Sequence, residues 1–285
     1  MTSLNDTLTD AIKSNYAGND LEELIFAGLS RAGKDVRNLK IADLAPVDEF
    51  HIRGRKATLE LAQLVAPGPG THVLDVGCGI GGPSRYLSAT YGCRVTGIDL
   101  SEEYCRVAGT LTEKVGLSHL ITYQQCDARY LPYPDDSFDA VWTQHTAMNI
   151  PDKAALYCEL YRVLKKNGVL ALYDILAGPV IPLYFPVPWA RTPDTSFLVT
   201  PEQLRLALET AGFVISTWDD TTDTALSWFR HVAGSSGSDI PRPLGLHLLL
   251  GNDFATLTQN QLRNLEEQRI VLYQVTAHKT SGANQ

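Results

Sequence analysis

Three aspartates and a run of glycines carry the first chemical reading of this chain. Val73-Leu74-Asp75-Val76-Gly77-Cys78-Gly79-Ile80-Gly81-Gly82 places Gly77, Gly79 and Gly82 in the spacing G-x-G-x-x-G, directly after an apolar run. Glycines at 77, 79 and 81 let the backbone pass close to a ligand without Cβ clashes. By itself the pattern would also suit a nicotinamide or flavin cofactor. Asp75 shifts the reading. A carboxylate two residues before the loop, at the end of a strand, faces the ligand crevice. There it repels a pyrophosphate and suits a ligand bearing an ammonium group and a sulfonium. Asp99, which closes Gly97-Ile98-Asp99, is placed to accept both hydroxyls of a ribose. Asp127, in Cys126-Asp127-Ala128, can accept a hydrogen bond from an exocyclic adenine amine.

Each of these residues needs an element to hold it. Residues 71 onward alternate short apolar strands with helices: strands over 72–76, 94–98, 121–125, 138–143 and 169–175, helices over 83–91, 101–115 and 151–165. Such alternation predicts an α/β fold with a parallel sheet covered on both faces. After Pro201 the pattern weakens to a helix over 203–211, a strand over 213–218, mostly helical sequence over 225–267, and a last strand over 270–277. Ahead of the sheet, residues 1 to about 45 and 55–65 read as amphipathic helix, and Pro67-Gly68-Pro69-Gly70 breaks the chain. The boundaries are an N-terminal helical lid over 1–66 and a main domain over 67–280, with a cap insertion near 178–200 and a helical insertion near 223–268.

The ordered motifs Val-Leu-Asp-Val-Gly-Cys-Gly-Ile-Gly-Gly, Gly-Ile-Asp-Leu-Ser, Cys-Asp-Ala, Ser-Phe-Asp-Ala-Val-Trp and Arg-Val-Leu-Lys-Lys-Asn-Gly-Val-Leu resemble those of the class I S-adenosylmethionine-dependent methyltransferases. The likeness covers residues 71 to about 176. It implies a seven-stranded Rossmann-like sheet, S-adenosyl-L-methionine as cofactor, and roles by position. Asp75, Gly77 and Gly79 would line the methionine and ribose end. Asp99 would hold the ribose hydroxyls, with Leu100 on the adenine face. Asp127 and Ala128 would meet the adenine edge, and Gln144 the methionine moiety. For Leu100 and Ala128 ordinary core packing is an equal reading.

Within that family the chain looks most like the small-molecule branch, which includes sarcosine/dimethylglycine, tocopherol and sterol, and ubiquinone/menaquinone methyltransferases. Trp142-Thr143-Gln144-His145 with Pro151-Asp152-Lys153 resembles the first group. The chain departs from it at His145, where that group implies an acid, and at Asn149, where it implies a histidine. Methyl transfer from a sulfonium needs mainly alignment, and a base only if the nucleophile arrives protonated. His145 is the candidate catalytic residue, because an imidazole titrates near neutrality; the plainer reading is an anchor for the cofactor loop. His51, in Glu49-Phe50-His51-Ile52-Arg53-Gly54, could close over a substrate, though a surface histidine is the simpler account. Tyr184, Phe185 and Trp189 follow the fifth strand. They would wall an acceptor pocket for a planar or cationic molecule, or merely cover the sheet edge. Tyr16 is a further lid candidate.

Composition bounds the partners. The chain has 285 residues, with 24 basic and 32 acidic side chains and a net charge of −8. No basic stripe for a phosphate backbone appears, which argues against nucleic acid. Five cysteines lie outside any metal-binding spacing and fit reduced thiols, so no metal is expected and the cytoplasm is. The N-terminus does not read as a signal peptide. Residues 169–190 are apolar, but the prolines at 179, 182, 186 and 188 forbid a membrane helix. The partner expected is a small-molecule methyl acceptor, taking the methyl on N or O, with room for a homo-oligomer. The alternatives are a methyltransferase fold that binds the cofactor for another reaction, such as a cyclisation, and a non-catalytic binding module.

Overall fold

The computed structural model describes residues 8, 11–12, 21–235 and 243–280. Tyr16 and part of the Gly-Ser break near 234–238 lie outside them. Residues 8, 11 and 12 are helical, and among residues 21–65 three helices follow: α1 (Leu21–Arg31), α2 (Ile41–Asp48) and α3 (Arg55–Val65). The alternating part follows as β1 (His72–Val76), α4 (Gly82–Tyr91), β2 (Arg94–Asp99), α5 (Glu102–Lys114), β3 (Ile121–Gln125), β4 (Phe138–Gln144), α6 (Lys153–Val163) and β5 (Leu164–Ala177). The chain ends with α7 (Pro201–Thr210), β6 (Phe213–Asp220), α8 (Thr222–Ser235), α9 (His247–Leu250), α10 (Phe254–Glu266) and β7 (Ile270–Lys279).

The strands form one seven-stranded sheet in the order β3-β2-β1-β4-β5-β7-β6. β1 to β5 run parallel, whereas β7 pairs antiparallel with both β5 and β6. The seven-stranded sheet expected of the chain is present, its parallel part being β1 to β5, with β7 as the antiparallel strand. Apolar content predicts a buried strand but not its direction, which the connection through α8–α10 sets. Both faces are buried, and alternate residues divide between them. Ala171, Tyr173 and Ile175 join one core cluster, while Leu170, Leu172 and Leu176 join the other. The strand order reverses between β1 and β4, which opens a crevice beyond their carboxyl ends.

Two further boundaries differ from the sequence reading. Asp152, not Pro151, caps α6, its carboxylate accepting from the Ala155 amide at 2.9 Å. β5 begins at Leu164 rather than Val169. Leu164 pairs with Phe138 and Val169 with Ala140, so the intervening residues bulge out, with Asn167 in the left-handed region. Among the described residues no helix is long and apolar enough to cross a membrane.

The N-terminal helices are fixed to this frame. Leu21, Ile25, Leu44 and Val47 pack with Ile80 of the glycine loop and with Val107 and Leu111 of α5. At the end of α2 the Asp48 carboxylate accepts from Arg85 Nη2 at 2.5 Å, and both side chains are fully buried. The approach is so close that a Cβ on Gly82 would lie 1.9 Å from the Asp48 carbonyl oxygen. Gly82→Ala is therefore expected to destabilise the fold by about 1–3 kcal/mol, because neither backbone can yield freely. Urea unfolding followed by circular dichroism measures this, and an unchanged midpoint would show that α2 is not tightly docked.

Candidate active site

A cleft opens at the carboxyl ends of β1, β2 and β4, and the glycine loop forms its floor. Gly77 (φ 73°), Gly79 (φ 53°) and Gly81 (φ 85°) all adopt left-handed backbone. A Cβ on Gly77 would strike Thr146 Oγ1 at 2.2 Å, so that glycine is fixed by packing. A Cβ on Gly79 would meet nothing within 4 Å, so the loop there faces open space. Asp99 holds the loop in place: one carboxylate oxygen accepts from the Gly79 amide at 3.0 Å and the other from the Ser101 amide at 2.9 Å. Asp75 is buried and accepts from Ser84 Oγ at 2.5 Å. Burial, uncompensated by any cation, pushes its carboxyl up to about 7.

Leu100, Asp127 and Ala128 line the far end of the same cleft, as expected by position. Asp127 is less available than the sequence suggested. Arg129 Nη2 donates to one of its oxygens at 2.7 Å, and Arg129 Nε and the Arg129 amide donate to the other at 3.0 and 2.9 Å. Burial alone would lift the carboxyl, but the hydrogen bonds and charge of Arg129 hold it below its usual range.

At the opposite end lie Gln144, His145 and His51. Gln144 Oε1 accepts from Trp142 Nε1 at 2.9 Å, and its amide nitrogen lies 3.2 Å from His51 Nε2. His51 is buried, which corrects the reading of a surface histidine. Its Nε2 lies 3.0 Å from the Gly54 carbonyl oxygen and 3.2 Å from Thr58 Oγ1. Thr58 in turn donates to Glu49 at 2.8 Å. Docking of α2 brings this group in, which no local sequence signal could show. His145 occupies left-handed backbone (φ 50°), an unusual state for a residue with a Cβ. Its ring stacks on Tyr173 at 5.1 Å and meets the edge of His51 at 5.9 Å. His145 Nε2 is buried without a hydrogen-bond partner among the described residues. Burial, with His51 adding to it, holds the His145 imidazole well below its ordinary pKa, so the ring is neutral at neutral pH.

The aromatic wall does not form. None of Tyr184, Phe185 and Trp189 lines the cleft. Trp189 is buried in the core, with Nε1 donating to Ser196 Oγ at 3.0 Å. Phe185 packs on the same core. Tyr184 lies under Arg263 and Arg269, whose guanidinium carbons stand 3.6 and 4.3 Å from its ring centroid. Two arginines and the Asn264 amide, which donates to the Tyr184 carbonyl oxygen at 2.9 Å, hold this segment against α10, away from the cleft. It supports the site indirectly. Asn149, which lines the cleft, donates to the Trp189 carbonyl oxygen at 2.7 Å and to that of Thr195 at 3.0 Å. Sequence reasoning missed Asp48, Phe50, Thr146 and Leu249 as lining residues. Only Phe50, beside His51, carried any signal.

Residues 74–172 match the family model described as a methyltransferase domain. The chain is 28% identical to the sarcosine/dimethylglycine N-methyltransferase of Halorhodospira halochloris over 222 residues, 78% of each chain. It is 40% identical to a sterol 24-C-methyltransferase of Gibberella zeae over 116 residues, 41% of this chain and 30% of that protein. The chain thus spans well under half the length of some curated relatives that it matches. Among solved structures, the [4+2]-cyclase SpnF superposes with a TM-score of 0.63 and 25% identity, covering 92% of this chain and 94% of that one. With the strand order, the open glycine loop and the aspartates at the carboxyl ends of β1 and β2 already in place, these likenesses put a methyltransferase domain at residues 74–172, and the chain is similar to the class I S-adenosylmethionine-dependent methyltransferases.

Proposed function

We propose that this protein transfers a methyl group from S-adenosylmethionine to N or O of a small molecule held at the His51–His145 end of the cleft. One observation carries the reading. All four charged side chains that line the cleft among the described residues, Asp48, Asp75, Asp99 and Asp127, are carboxylates, and they surround an open glycine loop. That charge pattern complements a ligand with an ammonium group and a sulfonium and opposes a pyrophosphate. The bound cofactor supplies an electrophilic methyl group, and the chain supplies alignment and exclusion of water. Asp99 would take the ribose hydroxyls, Leu100 and Ala128 the adenine faces, and Asp75, with Gln144 beside it, the methionine end. Asp127, both of whose oxygens already accept from Arg129, would meet the adenine amine at the same edge.

A second reading is favoured by the likeness to SpnF over nearly its whole length: the cofactor would be bound but its methyl not transferred. Incorporation of labelled methyl into an acceptor separates the two, and binding without incorporation across a broad acceptor screen would favour the second.

Calorimetry with S-adenosylhomocysteine tests the donor end. Asp99→Ala should raise Kd about 10–100-fold, since it strands two ribose hydroxyls and frees the Gly79 amide. A Kd unchanged by that substitution, or no binding to the wild type, would end the assignment. Asp75 gives a pH test. Its carboxyl titrates near 7 when no cation is present, and only the ionised form attracts an ammonium group. Affinity should therefore fall about tenfold per pH unit below 7, level off above it, and be accompanied by proton release on binding. A flat affinity between pH 5.5 and 8, or the same slope in Asp75→Asn, would show that Asp75 does not face the ligand's charge.

A further inference from the structure

We infer that the methyl acceptor is an electrically neutral molecule presenting a hydroxyl group, and that the His145 imidazole receives the proton of that hydroxyl. This rests on the proposed methyl transfer and narrows it to one acceptor class.

Charge supplies the first argument. With only carboxylates among the charged side chains lining the cleft, no described cation there can offset a carboxylate or phosphate on the acceptor. The cofactor's own positive charge is matched by Asp75. The second argument is the kind of polar group left at the acceptor end. Asp48 is paired with two cations, Oδ1 accepting from Arg85 and Oδ2, which has no hydrogen bond, standing 3.6 Å from Arg55 Nη2. What remains is His51, Gln144, His145 and Asn149, all neutral groups that give and receive hydrogen bonds, with Phe50, Ile150 and Leu249 as apolar cover. A protonated amine would find no spare anion there and would sit against the sulfonium. A neutral hydroxyl fits both the polarity and the cover.

The third argument is His145 itself. A buried ring nitrogen without a partner leaves its desolvation uncompensated, and the left-handed backbone adds strain. Tyr173 and His51 fix the ring, so this unsatisfied group is held in place rather than free to turn to water. The charged and titratable groups about it are His51, with Glu49, Arg53 and Arg55 behind it, Tyr173 on β5, and Asp75 in the same cleft. In the step, the acceptor oxygen bonds to the methyl carbon and the carbon–sulfur bond breaks, leaving its electron pair on a neutral thioether. The hydroxyl proton passes to His145 and then to water as the products leave. Positive charge is lost from sulfur as it is gained on the imidazole, so the cleft keeps its net charge.

The test uses the full chain and matched acceptors: 2-naphthol beside 2-naphthoate, with further phenols and alicyclic alcohols, sarcosine and phosphoethanolamine. Binding in the presence of S-adenosylhomocysteine is read by calorimetry, and labelled methyl transfer by mass. Hydroxyl compounds should bind at least about tenfold more tightly than their carboxylate counterparts and gain a methyl on oxygen. Tighter binding of the carboxylates, or N-methylation of sarcosine or phosphoethanolamine, overturns the inference and leaves methyl transfer standing. No transfer to any compound, with the cofactor bound, overturns both. In His145→Gln, cofactor affinity should hold while the rate on the hydroxyl acceptor falls about 10²–10⁴-fold. The residual rate should climb about tenfold per pH unit as phenolate forms, and the acidic 1-nitro-2-naphthol should be spared. Equal loss on both phenols, or no loss, takes His145 out of the proton's path.

Discussion

The close contact between the end of α2 and the start of α4 governs the rest of the site. Gly82 leaves no room for a side chain, and the carbonyl of Asp48 fills that room. The buried Asp48–Arg85 pair then fixes the rotation of the incoming chain. Removing either partner would leave a lone buried charge, a larger cost than the pair gains by forming. The turn that follows, with Arg53 and Gly54 both at positive φ, delivers Phe50 and His51 to the cleft. The third glycine of the motif therefore serves the N-terminal helices as much as the ligand.

Electrostatics divides the cleft in two. Asp75, Asp99 and Asp127 lie toward the glycine-loop end, and Asp75 and Asp99 are raised by burial in the absence of a cation. A cationic ligand repays that desolvation, so binding and ionisation are coupled. The other end is neutral. Burial lowers both His51 and His145, which meet edge to ring, with the Glu49 carboxylate 3.5 Å from His51 Nε2 behind the cleft lining.

The aromatic run after β5 shows where local reading misleads. Tyr184, Phe185 and Trp189 were sensible pocket candidates by position. The structure uses Trp189 and Phe185 as core and pins Tyr184 under two arginines of the α10–β7 region, about 80 residues away in sequence. An apolar side chain satisfies a core and a pocket equally well, and nothing within the segment distinguishes them. His51 erred in the other direction: a polar residue in a helical linker read as exposed, yet it is buried.

The sequence by itself determined the glycine-loop end of the cleft. Strand periodicity, glycines at positions of left-handed backbone, and carboxylates at strand ends are local consequences of chain geometry, so the loop and Asp75, Asp99 and Ala128 fell where they were expected. Only the tertiary structure decided the His51–His145 end. His51, Phe50, His145 and Asn149 come from segments far apart in the chain, and which of them share a space depends on helix docking. The direction of β7 was likewise invisible, because a strand buried on both faces has the same composition whichever way it runs.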